Sequence, residues 1–426
     1  MHKVQQFAAQ AVSKVLSGRN LTVALDGIFN EPSLIPQQRA AIQDLSYGTL
    51  RYYGQLQQIL AQLLEKPLKD EALHTLLLVA LYQLQHDRAA SHTVVDQAVK
   101  AASQGRKPWA KGLVNAVLRN FLRQREHLLQ IATKSETARY SYPQWLIDKL
   151  RIQYPQGWQA MLEDGNAHPP MTLRVNLRHG NASSYHDQLT AANISATVLS
   201  AEAVMLEKPV PIGKVPGFEE GMVSIQDYGA QLAAHLLDVD DGMRVLDSCC
   251  APGGKTGHIL ETSNVSLTAL DSDDQRLQRV HSNLQRLALQ AKLIAGDAAH
   301  PEAWWDGQPF DRILADVPCT ASGIVRRHVD IKLLRREADI ASFAGQQASI
   351  LRALWRLLAK DGKLLYATCS VFQEENQQQI DQFLKNHADA RQLPLPAMLN
   401  NYQQQNGQLR PCAEHDGFFY AVLQKA

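Results

Sequence analysis

Few cysteines and no long apolar run are the first features of this 426-residue chain. Its five cysteines include no CxxC pair, so they lack a zinc-ligand pattern, and their odd number does not suit a disulfide framework. No stretch approaches the roughly 18 apolar residues that span a membrane, and the N-terminus lacks the apolar core of a signal peptide. The sequence therefore predicts a cytoplasmic protein with reduced thiols, no metal site and no membrane partner.

Two nucleotide-binding motifs and one methyltransferase motif are also absent. The stretch LDSCCAPGGKTG, Leu246 to Gly257, ends like a P-loop, but it has Cys249 where that motif requires its first glycine. The same stretch contains no GxGxxG, the pattern typical of dinucleotide enzymes. The Asp-Pro-Pro-aromatic loop expected for methylation of an exocyclic nitrogen is replaced by DVPCT. These absences argue against a P-loop NTPase, a dinucleotide enzyme and an N-methyltransferase.

Charge is distributed unevenly along the chain. Residues 1–140 have a net charge of +7 and the remainder −6, which leaves +1 overall. Between Lys100 and Arg139 there are nine basic residues and two acidic ones. A segment of this composition suits the phosphate backbone of a nucleic acid, although a solvated helix face has the same composition.

Three regions differ in their hydrophobic pattern. Residues 1–140 repeat apolar side chains at intervals of three and four, which predicts an all-α bundle. Residues 141–228 mix helical stretches with short strands broken by Pro and Gly, which indicates a small α+β connector. Residues 229–426 alternate short apolar strands with helices, which is typical of a doubly wound, mostly parallel sheet. We therefore expect a multidomain protein whose C-terminal part is Rossmann-like.

The first strand–helix turn of the C-terminal region has the features of a ligand loop. Gly253 and Gly254 let the backbone approach a ligand closely. Asp271, Asp297 and Asp316 then end three further strands, and ligands of such sheets bind beyond the carboxyl ends of the strands. Asp271 suits ribose hydroxyls and Asp297 an adenine amino group. Each acid alone is better explained as a turn or cap residue, but together, without GxGxxG, they indicate S-adenosylmethionine.

Two cysteines also follow strands at this edge, Cys319 in ADVPCTASG and Cys369 in YATCSV. Carbon 5 of a pyrimidine is too weak a nucleophile to take a methyl group directly. A thiolate that adds to carbon 6 makes carbon 5 enamine-like, and another group then helps to release the product. Either cysteine alone is more often a small buried hydrophobe. The pair, above a methyl-donor pocket, favours covalent methyl transfer to a pyrimidine.

Four motifs, DSCCAPGGKT, DVPCTASGIVRRHVDIK, YATCSV and DGFFYAVL, resemble those of RNA 5-methylcytosine methyltransferases of the Sun/Fmu (NOL1/NOP2) family. The N-terminal stretches LSYGTLRYYGQLQQIL and KGLVNAVLRN are similar to a NusB-type RNA-binding helical domain. Together the resemblance covers nearly the whole chain. It implies methylation of cytosine carbon 5 in RNA, above all small-subunit ribosomal RNA, with S-adenosylmethionine as cofactor and no DNA partner.

The resemblance also implies roles for residues. Cys369 would be the nucleophile, Cys319 would assist product release, and Asp316 would touch the target base. The cofactor-binding residues would be Cys249, Cys250, Ala251, Pro252, Gly253, Gly254, Lys255, Asp271, Asp297 and Asp316. The segment LRVN, Leu173 to Asn176, matches one near the RNA-facing connector of the family. The two cysteine roles could also be exchanged, as in DNA cytosine methyltransferases.

The chain departs from the family pattern at a few positions. Cys250 stands where the family usually has alanine, and Val317 and Thr320 where alanine and serine are usual. His328 and Val329 lie where a proline is often found nearby. None of these changes removes a thiol or a pocket acid, so they bear on substrate preference more than on chemistry. A non-catalytic RNA-binding or ribosome assembly factor, and the same chemistry on transfer RNA, are the alternatives.

Overall fold

A computed structural model describes residues 2–86, 89–103, 108–396 and 404–426. The chain forms two compact units: one contains the residues up to Ala167 together with Val325–Glu337, and the other contains His168–Ile324 and Ala338–Ala426. Arg106 and Lys107 of the basic segment lie outside the described residues. The three-domain division with boundaries after residues 140 and 228 stays a prediction.

The first unit is built of helices around an apolar core of buried leucine, valine and alanine side chains. Helices in the first 167 residues are α1 (His2–Leu16), α2 (Leu21–Phe29), α3 (Pro36–Arg51), α4 (Tyr53–Leu63), α5 (Glu71–His86), α6 (Ser91–Ser103), α7 (Pro108–Ala132), α8 (Glu136–Tyr140), α9 (Gln144–Gln153) and α10 (Trp158–Asp164). The predicted all-α bundle is confirmed.

The apolar pattern of residues 40–64 is continuous, but the structure divides this stretch into α3 and α4. Tyr52 leaves the helical conformation, with φ −107° and ψ 21°. Just beyond it, Gly54 lies so close to α8 that an added Cβ would be 2.3 Å from the Thr137 carbonyl oxygen. The break is therefore set by packing between distant segments, which the local apolar pattern does not report.

The second unit begins with a small antiparallel sheet. Its strands are β1 (Met171–Val175), β2 (Ala196–Val198), β3 (Ala203–Leu206) and β4 (Val223–Ile225), in the order β2-β3-β1-β4. Helix α11 (Ala182–Ala191) packs Tyr185 and Leu189 against Leu173 and Val204 of the sheet. This element is the small α+β connector expected from the sequence.

The larger sheet of this unit has nine strands within the described residues. They are β5 (Arg244–Ser248), β6 (Ser266–Asp271), β7 (Lys292–Ala295), β8 (Phe310–Asp316), β9 (Leu358–Thr368), β10 (Ala390–Leu393), β11 (Gln404–Gln405), β12 (Gln408–Leu409) and β13 (Phe418–Lys425). The order is β11-β12-β13-β9-β8-β5-β6-β7, and β10 pairs with β13. Strands β5 to β9 pair in parallel, which confirms the mostly parallel Rossmann-like sheet.

The helices that complete the C-terminal part of the chain are α12 (Tyr228–Leu237), α13 (Gly254–Thr262), α14 (Asp274–Arg286), α15 (Ile331–Leu334), α16 (Glu337–Leu357) and α17 (Gln377–Asn386). No helix among the described residues is both long enough and apolar enough to cross a membrane.

The segment Val325–Glu337 leaves the second unit and belongs to the helical one. Val329 is fully buried in the core of that unit. Asp330 accepts hydrogen bonds from the Asn20 side chain and the Leu21 backbone, both at 3.0 Å. The buried Lys332 ammonium donates to the Arg51 carbonyl oxygen at 2.6 Å. Most of the motif VRRHVDIK is therefore a structural part of the helical unit.

Exposed basic side chains on α7 are the residues whose replacement tests the expected binding of RNA by the helical unit. Arg119 and Arg123 are exposed there, one helical turn apart. Replacing both by glutamine should weaken binding of a ribosomal RNA fragment, because released counterions drive such binding. The slope of log affinity against log salt should fall by about 1 for each phosphate group that is no longer neutralised. Fluorescence anisotropy over a salt series measures both quantities.

Arg352 and Arg356 on α16 form a matched control, since they have the same spacing and are also exposed. Glutamine at both of these positions should leave the salt slope closer to that of the unmodified protein. An equal reduction of affinity from the two pairs would contradict a special role for α7.

Candidate active site at the ends of three parallel strands

The carboxyl ends of β5, β8 and β9 lie side by side. Ser248 pairs with Ala315, and Asp316 pairs with Ala367, so the chain leaves the three strands at nearly the same level. The glycine loop follows β5, and Cys369 follows β9. DVPCT begins at Asp316, the last residue of β8. The fold thus gathers three motifs that are up to about 120 positions apart in the sequence.

The glycine loop, Cys249 to Lys255, has a tightly fixed backbone. Gly253 has φ 95°, and an added Cβ would lie 3.1 Å from the Val280 side chain. Cys249 also has positive φ, at 61°, which is uncommon for a residue with a side chain. Cys250 is buried and Pro252 is exposed. Gly254 begins α13, so the loop leads directly into the helix N-terminus that was expected from the sequence.

Asp271, at the end of β6, fixes the backbone of this loop through a hydrogen bond. Its side chain is almost completely buried and accepts a hydrogen bond from the Ala251 backbone N–H at 3.0 Å. The Arg276 guanidinium lies 3.5 Å from the same carboxylate. Asp271 is therefore placed beside the loop as expected, and it also fixes the loop.

Asp297 is positioned differently. It follows β7, its side chain is 56% exposed, and it accepts a hydrogen bond from the Ala299 backbone N–H at 2.8 Å. That bond, followed by the one to His300, lowers the pKa of Asp297. The Asp297 carboxylate is therefore a negatively charged hydrogen-bond acceptor just beyond β7, the last strand in the sheet order.

Asp247, next to the last residue of β5, is a site acid that the sequence analysis did not single out. Its Oδ2 accepts from the Thr256 hydroxyl at 2.6 Å, while its buried Oδ1 has no hydrogen-bond partner among the described residues. Burial raises the pKa of Asp247 to about 7. A carboxyl group with an unused, buried oxygen next to the glycine loop is a chemical fit for a polar ligand there.

Lys255 and Asp316 form an ion pair over the strand ends. The Lys255 Nζ lies 2.6 Å from the Asp316 carboxylate, and both side chains are largely buried. Burial by itself lowers the pKa of Lys255, but Asp316 outweighs it, and a negative charge on Cys369 adds to the same effect, so the net pKa is raised. The ammonium group therefore stays charged next to the thiol of Cys369.

Cys319 and Cys369 meet in the structure, with their sulfur atoms 3.4 Å apart. Cys319 is 8% exposed, whereas Cys369 is half-buried. The hydrogen bond to Cys369, and then burial, raise the pKa of Cys319 well above its usual value. Cys319 therefore keeps its proton, and Cys369 is the more accessible sulfur of the pair.

Two glycines allow close backbone contacts beside Cys369. The Gly323 N–H donates to the Cys369 carbonyl oxygen at 2.9 Å, and the Gly417 N–H donates to the Gly323 carbonyl oxygen at 2.9 Å. A Cβ added to Gly323 would lie 2.3 Å from the Gly417 oxygen. Sequence reasoning did not single out either residue, although both lie in quoted motifs, ASG and DGFF.

Arg174 lies in the segment Leu173 to Asn176, which the resemblance placed near the RNA-facing connector, and its side chain is fully buried. Its guanidinium donates to both carboxylate oxygens of Glu261, at 3.0 and 2.7 Å, and to the Gly254 carbonyl oxygen at 2.8 Å. The segment begins in β1 of the connector sheet, and its place near RNA stays a prediction. Arg174 joins the connector sheet to the glycine loop.

The fold and site define an α/β methyltransferase unit with a ferredoxin-like connector and a NusB-like helical unit. Residues 234–424 match the family model described as 16S rRNA methyltransferase RsmB/F. Residues 142–213 match an RsmF/B-like ferredoxin-like domain, and residues 2–123 match the NusB family.

Similar proteins agree over the full length. The chain is 44% identical to ribosomal RNA small subunit methyltransferase B of Pseudomonas syringae pv. tomato, covering 98% of this chain and 96% of that protein. It is 43% identical to the protein of that name from Vibrio vulnificus, covering 99% of each. A solved structure of a methyltransferase homolog from Pyrococcus horikoshii is 26% identical, with a TM-score of 0.60, over 68% of this chain and 97% of that one.

The chain therefore belongs to the RsmB/F family of 16S rRNA methyltransferases, which confirms the resemblance seen in its motifs. It is an enzyme that methylates ribosomal RNA and uses S-adenosylmethionine as the methyl donor.

Replacing Arg174 by methionine should destabilise the protein by about 3–5 kcal/mol, because Glu261 is left buried without its charge partner. The double variant Arg174→Met/Glu261→Met should recover most of this stability, since no unpaired charge remains. Urea unfolding followed by circular dichroism gives the free energies. A single variant as stable as the unmodified protein would show that the ion pair contributes no such constraint.

Proposed function

We propose that this enzyme methylates carbon 5 of a cytosine in small-subunit ribosomal RNA through a covalent bond between Cys369 and carbon 6. The observation that carries the proposal is the pair of sulfur atoms, 3.4 Å apart, at the ends of neighbouring parallel strands. An enzyme that methylates nitrogen or a ribose hydroxyl needs no such pair.

The order of events follows from the placement of the thiols. The Cys369 thiolate adds to carbon 6, which makes carbon 5 nucleophilic enough to take the methyl group. The proton on carbon 5 then passes to water, and the electron pair of that C–H bond restores the double bond between carbons 5 and 6. The bond from sulfur to carbon 6 breaks with its electron pair left on the Cys369 thiolate. Lys255 stabilises the thiolate by its charge, and Asp316 is held by Lys255 where it can hydrogen-bond the target base.

Cys369 is the better nucleophile of the two because it is more exposed and Cys319 keeps its proton. Cys319 then assists release, since its sulfur lies next to the bond that must break. The exchanged roles would require the more buried thiol, with its raised pKa, to attack first. That requirement makes the exchanged assignment the weaker one.

S-adenosylmethionine supplies an electrophilic methyl group when it is bound. The residues proposed to hold it are the glycine loop, Cys249 to Lys255, with Asp271, Asp297 and Asp316. Two observations support this assignment. The buried Oδ1 of Asp247 has no hydrogen-bond partner within the described part of the chain, and a Cβ added to Gly254 would make only an ordinary contact with Gln226 at 3.8 Å. Asp271 suits the ribose hydroxyls, and the exposed Asp297 suits the adenine amino group.

Asp271→Ala should weaken S-adenosylmethionine binding, because a ribose hydroxyl loses a charged acceptor worth about 1.5–3 kcal/mol. The loop would also lose its hydrogen bond to Ala251. Isothermal titration calorimetry measures the affinity. Asp274→Ala, an exposed acid in the first turn of α14, is the control and should bind normally. Equal affinities for the two variants would remove Asp271 from the pocket.

The two cysteine variants should behave in opposite ways with RNA. Cys369→Ala should be inactive and form no adduct, because no bond to carbon 6 can form. Cys319→Ala should accumulate a covalent protein–RNA adduct, because addition and methyl transfer proceed while elimination stalls. Denaturing gels with ribosomal RNA fragment and S-adenosylmethionine reveal the adduct.

Cys412→Ala removes a half-buried thiol elsewhere and serves as the control, with normal turnover and no adduct. An adduct in Cys369→Ala with none in Cys319→Ala would exchange the two roles. Bisulfite mapping of the RNA product then tests carbon 5 of cytosine itself, since methylation there protects the base from conversion.

A further inference from the structure

A buried carboxylate lies behind the two thiols and takes no part in the addition, transfer or release steps. Glu375 ends the short 3₁₀ turn Gln373–Glu375, which follows Cys369, and its side chain is completely inaccessible to solvent. Its backbone is also fixed, because the Tyr366 hydroxyl donates to the Glu375 carbonyl oxygen at 2.7 Å. A buried acid costs free energy unless its oxygens are well satisfied.

Both carboxylate oxygens of Glu375 are satisfied by the two loops that carry the cysteines. Oε1 accepts from the Thr320 backbone N–H at 2.8 Å, and Oε2 accepts from the Thr320 hydroxyl at 2.5 Å. The same Oε2 accepts from the Ser370 hydroxyl at 2.5 Å. Thr320 directly follows Cys319, and Ser370 directly follows Cys369.

Gln347 of α16 extends this arrangement. Its amide Nε2 donates to Oε1 of Glu375 at 3.1 Å and to the carbonyl oxygen of Pro318, the residue before Cys319, at 2.9 Å. Residues on both sides of Cys319 are therefore linked to Glu375 directly or through one side chain. These bonds join the two loops that carry the sulfur atoms, in addition to the bond from the Gly323 N–H to the Cys369 carbonyl oxygen.

The charge of Glu375 acts on the thiols as well. These four hydrogen bonds to its carboxylate come from neutral donors. Its negative charge raises the pKa of Cys319, in addition to the larger effects of the bond to Cys369 and of burial. The same acid therefore favours the form of Cys319 that keeps its proton.

We propose that Glu375 is a positioning residue that holds Thr320 and Ser370, and through them the thiols of Cys319 and Cys369, in register for methyl transfer. The inference rests on the proposed function and deepens it, because it assigns the thiol geometry to an acid that touches neither substrate nor cofactor.

Glu375→Gln tests this role, because the amide keeps the shape but loses the charge and one acceptor position. The kcat for methylation of ribosomal RNA should fall about 100-fold, the cost of a misplacement on the order of 1 Å. The KM for RNA and the affinity for S-adenosylmethionine should change little. Glu374→Gln, on the same turn but only half-buried, is the matched control and should retain kcat.

A second measurement needs no RNA. The pH dependence of Cys319 alkylation by iodoacetamide, followed by mass spectrometry of the peptide that contains Cys319, reports the titration of that thiol. In Glu375→Gln its midpoint should fall, because removal of a nearby negative charge favours the thiolate. In Glu374→Gln the midpoint should remain that of the unmodified protein.

If Glu375→Gln unfolds at too low a temperature to be assayed, the Ser370→Ala variant is tested in its place. This change removes one hydrogen-bond donor and leaves the Glu375 carboxylate unchanged. Removal of one such bond should lower kcat roughly tenfold without a matching rise in KM. Unchanged kcat, a lower kcat with an unchanged alkylation midpoint in Glu375→Gln, or a reduction carried by KM would overturn the positioning role.

The two proposals fail separately. If the unmodified enzyme methylates RNA elsewhere than carbon 5 of cytosine, the proposed function is wrong. A lowered alkylation midpoint in Glu375→Gln would still support the effect of Glu375 on the thiols in that case.

Discussion

The parallel register of β5, β8 and β9 is the constraint on which the site depends. It pairs Ser248 with Ala315 and Asp316 with Ala367, so three segments distant in sequence leave the sheet at one edge. A shift of one residue would turn every side chain of a strand to the opposite face. The buried apolar residues on both faces of the sheet prevent such a shift, and in this way the core fixes the distance between the sulfur atoms.

The site at this edge of the sheet contains several buried ionisable groups, and their burial is unfavourable by itself. Asp247 and Glu375 are fully buried, and the Lys255–Asp316 pair is largely so. Each is supported by hydrogen bonds or by an opposite charge, because an unsupported buried charge would destabilise the protein or be neutralised, a carboxylate by taking up a proton. The exception is Oδ1 of Asp247, and this unused acceptor lies where the ligand loop begins. A ligand that enters this loop can therefore satisfy this oxygen.

The glycines around Cys369 show how close packing adds to the polar network. Gly323 and Gly417 bring two backbone segments into contact with the strand end, where any side chain would displace them. Glu375 then joins the same two loops from behind through Thr320 and Ser370. The thiol pair is therefore held by backbone contacts on one side and by a buried acid on the other.

The sequence by itself determined the elements and the chemistry that local patterns encode. Apolar periodicity predicted the helical bundle and the parallel sheet, and residue types at strand ends predicted the glycine loop, the acids and both thiols. These predictions need only neighbours within about 20 positions, because periodicity and turn chemistry are local properties.

Only the tertiary structure decided which distant groups complete the site. The sequence assigned no partner to Glu375 or to Arg174, and it placed Val325–Glu337 in the region of short strands and helices that begins at residue 229. Their partners lie tens to hundreds of positions away, as Thr320 does from Glu375 and Asn20 from Asp330. A charged residue's role depends on whether folding removes it from water and which partner it then meets, and no local pattern records either.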